Sequence, residues 1–460
     1  MIDRDHVLEG DAPLATRLLR IALPLALAAS VRYLVELSGV YWTGKLGVSA
    51  IAVVSALSYV LAFMRMFALL TSAGTSAVIG RLIGERNPRE AASIGQRVTA
   101  MAPLLGVMVA VPALFATGSI VRLSGLPANV FADARMYLVV LLLGLPISYG
   151  LIALHATLVG LGHPRASFAV NLVALSVAFV LTPTFVVVAR IGIPGAAMAQ
   201  VCGEALALAY GHLRLRGHLD PSMRLPLSAR VRHLRSLFPV LRVGVPLTAD
   251  AVLHATVGFA LVAYMARFGV EYVAAQGTEE RLTQILNLPT EGLAPAAATL
   301  VGYYVGRERH DMARRVVWWS LGLMTAFSLL GCLLLVVAPG PIVAFLSDDP
   351  AYVGVSTRVL LIAAGTLTFL GARDIADSAF GGLGNTLPPL IIGTLVTSSR
   401  FPIALILAGR GHLGGLGVIW AINGTLVVQA IILLTWLYLR FDAYARRVTE
   451  KDRAELEELA

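Results

Sequence analysis

Leu19–Leu25 reads LRIALPL, and Leu241–Leu247 reads LRVGVPL, 222 residues further on. The same offset relates KLGVSAIA at Lys45–Ala52 to RFGVEYVA at Arg267–Ala274, Gly80 and Gly84 to Gly302 and Gly306, and LVGLGH at Leu158–His163 to FGGLGN at Phe380–Asn385. One constant offset through four segments marks an internal repeat of one structural unit. The unit is a membrane one. Of the 460 residues, 57% are hydrophobic and only 14% charged, with mean hydropathy +0.79. Soluble domains average about 25% charged residues. Apolar stretches of about 20 residues, long enough to cross a hydrocarbon layer of roughly 30 Å, recur from end to end. This composition excludes a soluble enzyme, a nucleic-acid-binding domain and a secreted disulfide scaffold.

The pattern predicts an all-α membrane protein of twelve transmembrane helices. The spans are expected at 17–43, 49–80, 95–118, 132–160, 166–189, 194–213, 238–266, 272–304, 314–338, 353–382, 388–409 and 415–439. Helices are required because lipid satisfies no backbone polar group, and the runs lack the alternation of a barrel strand. An even number of spans per repeat gives both copies one orientation. They form two six-helix lobes related by a pseudo-twofold axis along the membrane normal, with the substrate path expected between them. The expected organisation is an N-terminal lobe (1–213), a cytoplasmic basic linker (214–237), a C-terminal lobe (238–440) and a charged cytoplasmic tail (441–460). Lys and Arg gather in one set of loops: Arg81, Arg86, Arg89 and Arg97, Arg165, the stretch Arg214 to Arg235, and Arg307, Arg309, Arg314 and Arg315. The bias of basic residues toward cytoplasmic loops puts both termini in the cytoplasm and explains the net charge of +9 without nucleic acid. The first residues, Asp3, Arg4, Asp5 and His6, predict no cleavable signal peptide. Cys202 and Cys332 lie inside spans and offer no disulfide framework or zinc spacing.

Charge inside the spans is the functional signal. An ionised side chain at a helix centre costs about 2.5–3.5 kcal/mol on insertion scales. Away from the span ends, eight acids fall within spans, six of them in the second repeat: Asp250, Glu279, Glu280, Glu291, Asp374 and Asp377, against Glu36 and Glu204 in the first. The repeat places Ala28 opposite Asp250, Ile152 opposite Asp374 and His155 opposite Asp377. Such acids must face a cavity, pair with a base or be protonated. Arg32 and Glu36, like Arg373 and Asp377, stand four residues apart and are spaced for structural ion pairs. Asp374 lies about 100° round the wheel from Arg373 and is harder to neutralise there. Asp250 and His254 are also four apart, with no Arg or Lys in reach on their helix, and make a proton-exchanging pair. In the eighth span, Gln276, Glu280, Thr283, Asn287 and Glu291 fall on one continuous stripe, which lines either water or a polar helix seam. His155 reads as a polar lining residue. Pro24, Pro112, Pro146, Pro246 and Pro289 fall mid-span, where each can kink a helix. No GxxxxGK[ST], HExxH or GxSxG motif is present.

Two copies of a six-helix unit, each opening on a proline-containing helix, together with ATLVGYYVGRERHDMARR at Ala298–Arg315 and the paired glycines at 160/162 and 382/384, resemble the multidrug and toxic compound extrusion (MATE) transporters over about residues 15 to 440. The resemblance implies an exporter that alternates between inward and outward states, exchanging organic compounds, often cations, for Na⁺ or H⁺. It also implies acids on helices one, seven, eight or ten. Counted along this chain, those positions fall on Gly39, His254, Glu280 and Leu370, of which only Glu280 is acidic. Glu36, Asp250 and Asp374 each stand about one turn away on the cytoplasmic side, which suggests one relocated acidic layer.

The sequence therefore predicts a secondary antiporter of the cytoplasmic (inner) membrane. Its ion-coupling residues are expected to be Asp250, His254, Glu280, Asp374, Asp377 and Glu36. Its substrate cavity is expected to be lined by Gln276, Thr283, Asn287, Glu291, His155 and Arg32. H⁺ is favoured over Na⁺ because a histidine exchanges protons near neutral pH. The expected partners are a small-molecule substrate and membrane lipid, without cofactor, structural metal or nucleic acid, and the chain is expected to act as a monomer. A flippase for a lipid-linked or peptide-like product is the rival transporter and would need a basic cavity. An intramembrane enzyme is the rival from another class and would need a nucleophile or metal set, which no motif supplies.

Overall fold

The computed structural model describes residues 13–44, 46, 48–124, 130–218, 238–344, 350–410 and 413–457. Most of the expected linker, the acidic Asp348–Asp349 loop and the side chain of Glu36 lie outside the described residues. Every regular element among the described residues is helical. The chain divides into two compact units, Met1–Val245 and Pro246–Ala460.

The first unit holds α1 (Leu14–Gly44), α2 (Val48–Met66), α3 (Leu69–Gly84), α4 (Pro88–Phe115), the short α5 (Thr117–Leu123), α6 (Phe131–Gly160), α7 (Pro164–Pro183) and α8 (Ile193–His218). The second repeat runs through α9 (Phe238–Met265), α10 (Val270–Leu286), α11 (Leu288–Gly306), α12 (His310–Val337), the short α13 (Pro339–Ala344), α14 (Pro350–Gly382), α15 (Leu387–Leu405) and α16 (Gly415–Glu457). The same pairs pack in each. The contacts α4–α6, α6–α8, α7–α8, α3–α4 and α3–α6 recur as α12–α14, α14–α16, α15–α16, α11–α12 and α11–α14.

Twelve helical segments stand where twelve spans were expected. Nine of the described helices are long and apolar enough to cross a membrane, and ten are if α2 and α3, bent by 49°, count as one span. The other two segments, α8 and the α10–α11 pair, are helical but carry Gln200 and Glu204, and Glu271, Glu279, Glu280, Arg281 and Glu291. The eighth span is not the single helix its pattern suggested. It breaks at Asn287 (φ −91°, ψ 3°), and Pro289 sits in the first turn of α11 rather than mid-helix. A proline there has no N–H to bond the preceding turn, so the helix restarts. The second span breaks at the same level of the repeat, at Phe67–Ala68.

The glycine motifs end helices. The N–H of His163 donates to Leu158 O and that of Gly162 to Val159 O, with Gly162 at φ 81°. Asn385, Gly384, Phe380 and Gly381 repeat this six-to-one closure, with Gly384 at φ 69°. Glycine takes this left-handed turn without a Cβ penalty. The first glycine of each motif has a packing role instead. A Cβ on Gly160 would stand 2.9 Å from Ile79 Cβ, and one on Gly382 would stand 2.9 Å from Val301 Cβ, the residue equivalent to Ile79. These contacts let α6 lie on α3 and α14 on α11. Each repeat also carries one π turn after its fifth span, at Thr184–Val188 and Ile406–Arg410.

Candidate functional site

α9 is held in place by an apolar seam in which Leu261 and Met265 pack with Ala404, Val418 and Ile419 of α15 and α16. Two to four turns earlier, the same helix presents Asp250 and His254 to α15 and α16. His254 Nδ1 lies 3.1 Å from the backbone carbonyl of Asp250 and 3.4 Å from its Oδ2, and its Nε2 lies 3.0 Å from Thr397 Oγ1 on α15. The imidazole is thus held at both nitrogens, by the Asp250 carbonyl with its carboxylate beside it on one side and a hydroxyl on the other. The remaining Asp250 oxygen, Oδ1, is buried against the bare Cα of Gly393, where any Cβ would collide with it. The Gln429 amide of α16 borders the same point.

α14 brings Arg373, Asp374 and Asp377 to this region. The expected Arg373–Asp377 ion pair is present, and the structure adds a closer one at Asp374, where neutralisation was not expected. Arg373 bonds its immediate neighbour, with Nη2 2.7 Å and Nε 3.1 Å from Asp374 Oδ1, while Asp377 Oδ2 stands 3.9 Å from Nε. A guanidinium on a three-carbon stem folds across the 100° between adjacent positions, which wheel spacing alone does not reveal. Asn287 Nδ2 adds a bond of 3.2 Å to Asp374 Oδ2. Asp374 is therefore locked by a base and an amide, and the relocated-layer expectation fails at this residue. Among the described residues, the Asp250 carboxylate has the histidine as its one ion-pair partner. A further cation completes the group: Arg400 of α15, 7% exposed, donates from Nε to Thr425 Oγ1 at 3.0 Å. Asp250 is within electrostatic reach of Arg373, Asp377 and Arg400.

The polar face of α10 also differs from the expected stripe. Glu279 is the buried acid, accepting from Gln276 Nε2 at 2.8 Å and Thr283 Oγ1 at 3.4 Å, while Glu280 and Arg281 are exposed. The break at Asn287 ends the stripe, and Glu291 is exposed in the first turn of the next helix. Asn287 instead ties the break to α14 through Asp374, and accepts from Thr290 at 2.8 Å.

In the first unit, Arg65 at the end of α2 pairs with Glu204 of α8 at 2.5 Å and donates to Ser148 of α6 at 3.2 Å. Ser148 and Gln200 also donate to Glu204. The Tyr149 hydroxyl donates to Met64 O at 2.7 Å, one residue before Arg65. His155 is held apart from this cluster by Ser167 Oγ at 2.8 Å, within electrostatic reach of Arg32. Arg32 lies over the Tyr33 ring at 5.6 Å. The sequence reading named neither Arg65, Arg400 nor Gln429. A lone arginine in an apolar run was the available signal, since a membrane arginine needs a partner.

A family model described as MatE matches residues 24–184 and 246–406. The two matches keep the 222-residue offset, begin at Pro24 and Pro246, and end where the π turns start. The chain is 24% identical over 442 residues to the probable multidrug resistance protein YoeA of Bacillus subtilis (strain 168), covering 93% of this chain and 94% of that one. It is 28% identical over 436 residues to the probable multidrug resistance protein NorM of Deinococcus radiodurans, covering 91% and 93%. Among solved structures it is similar to one described as the outward-facing conformation of a multidrug resistance MATE family transporter, with TM-score 0.89 and 22% identity over 96% of this chain and 99% of that chain. A Pyrococcus furiosus transporter described as having a binding pocket of reversed polarity matches with TM-score 0.88 and 21% identity, over 96% and 99%. With both repeats matched and the two-lobed helical fold in place, the chain belongs to the MatE family, the MATE transporters, and is a multi-pass membrane protein.

Proposed function

We propose that this protein is a proton-coupled antiporter of the cytoplasmic membrane that exports organic, cationic and amphipathic compounds. The observation that carries the reading is the Asp250–His254 pair. Among the described residues of the second unit, it is the site where a carboxylate is offered a proton-exchanging partner instead of an arginine bonded to it. Asp377, loosely held by Arg373, is the adjoining acid. Around them stand three carboxylates, Asp250, Asp374 and Asp377, and two guanidiniums, Arg373 and Arg400, which leaves one negative charge for a proton or a monovalent cation to cancel. The multidrug names of the relatives support drug-like substrates. The basic cavity a flippase needs is not favoured by Arg65, since Glu204 neutralises it.

One proton entering for one monovalent cation leaving moves no net charge, so a pH gradient drives export by about 1.4 kcal/mol per unit. Uptake of a fluorescent cation into proteoliposomes, under ΔpH and ΔNa⁺ imposed separately, tests this. Transport is expected with ΔpH alone and to be lost in Asp250→Asn, which keeps the shape and removes the titrating group. Transport that needs Na⁺ and ignores ΔpH, or a fully coupled Asp250→Asn, overturns it.

A further inference from the structure

In the cluster around Asp250, four buried polar atoms have no hydrogen-bonding partner among the described residues: Asp250 Oδ1, Asp377 Oδ1, Gln429 Oε1 and Arg400 Nη2. Three are acceptors and one is a donor. Arg400 is the anomaly. It is 7% exposed, and Thr425, a neutral hydroxyl, is its hydrogen-bond partner. Among the described residues no ion pair neutralises it, whereas Arg373 on the neighbouring helix bonds Asp374 directly. A buried charge without a counter-charge is costly, and a membrane arginine is expected to have one. Arg373 repels Arg400 and Asp250 attracts it. Asp250 has a carboxylate oxygen to give, because Oδ2 faces His254 while Oδ1 faces α15 and α16 at Gly393 and Gln429. Arg400 lies two turns further along α15 from Gly393, with a flexible side chain long enough to swing along its helix.

We propose that Arg400 is the alternate partner of Asp250: the carboxylate stands with His254 while the coupling proton is bound, and pairs with Arg400 once that proton has left. This rests on the reading of Asp250 as the coupling acid. A protonated Asp250 is neutral and has no reason to seek a guanidinium; the deprotonated one does. The proton passes to cytoplasmic water, and the new pair leaves neither charge alone. The groups that face Asp250 are His254 from its own helix, Arg373 and Asp377 from α14, Arg400 from α15 and the Gln429 amide from α16. Arg373 is already engaged by Asp374, which leaves Arg400 as the cation with a spare donor. Arg400 is thus a positioning residue that supplies, on a tether, the positive charge a Na⁺ ion would otherwise bring.

The test is the pH profile of fluorescent-cation transport in proteoliposomes of the full chain, with and without Na⁺. Arg400→Gln is expected to hold its proton more tightly, so that the midpoint of the profile moves at least one pH unit alkaline and turnover at neutral pH falls about tenfold. Arg400→Lys should keep the wild-type midpoint within about half a unit, because the charge is retained. Thr425→Val preserves volume, frees the guanidinium from its anchor and should move the midpoint the other way; it decides the matter if Arg400→Gln does not fold. An unmoved midpoint in Thr425→Val, or in a folded Arg400→Gln, overturns the proposal. A coupled Asp250→Asn overturns the prior reading of the coupling acid instead, so the two failures are told apart.

Discussion

Arg65 occupies in the first repeat the position that Asn287 occupies in the second. Both sit at the break of a bent span, and both donate to an acid on another helix, Glu204 on α8 and Asp374 on α14. The position thus does one job in two ways, tying a loose helix end to the body of its unit. In the first repeat the tie is ionic and mostly screened from solvent, with Glu204 at 13% side-chain exposure and Arg65 at 31%. Glu204→Gln keeps the shape but strips the guanidinium of its counter-charge. The expected loss is about 1–3 kcal/mol, below that of a fully buried pair because Arg65 is partly solvated. Thermal unfolding in detergent should register it. The combined change Arg65→Met with Glu204→Leu should recover most of the loss, because no charge is then left unpaired. At this scale the sequence spoke only in part. Asp250 and His254 were legible because their spacing on a helix brings them together without help from other elements. Arg400 and Gln429 were not, because their meaning depends on which helix stands opposite.

Elements were far more legible, because a helix end has to be made by local residues. The glycine pairs at 160/162 and 382/384 were visible as a motif, and each turns out to do two tasks: left-handed closure at the second glycine and close approach at the first. Gly382→Ala would place its Cβ 2.7 Å from the carbonyl oxygen of Ala298, which is backbone and cannot rotate away. The expected cost is about 1–3 kcal/mol, read as a lower unfolding temperature. Gly381→Ala, one residue earlier and with nothing within 4 Å of its Cβ, should be nearly neutral and serves as the control. The eighth span shows where pattern reading stops. Its polar residues fit one helical wheel only if the helix is continuous, and Pro289 makes it two. Before the break, within α10 itself, Glu279 rather than Glu280 takes the buried face, with Gln276 and Thr283 as its donors.

For the whole molecule, the repeat and the distribution of arginine carried the reading further than any single residue. Arg81, Arg86 and Arg89 in one half and Arg307, Arg309, Arg314 and Arg315 in the other fall at the same side of the repeat. Both termini are therefore expected in the cytoplasm. Fusions of a reporter that fluoresces only inside the cell should be bright at either end; a dark C-terminal fusion at normal expression would refute this arrangement. Ten of the twelve helical segments were countable from apolarity alone; α8 carries an acid that bonds another helix, and α10 one that bonds its own helix face.

The π turns at Thr184–Val188 and Ile406–Arg410 carry a historical consequence. A π turn is an insertion: one residue too many, which rotates everything after it by about 100°. Such an accident arising twice, independently, at one offset is far less economical than its arising once. The same holds for the left-handed Arg86 and Glu308, and for Gly192 and Gly414, each pair again 222 residues apart. These irregularities belong to a half-length ancestor that existed before two copies of its gene were fused. Asp250, Arg400, Arg65 and Glu204 have no like-charged counterpart at that offset, and so record what each copy became afterwards. Scaffold and chemistry in this chain have different ages.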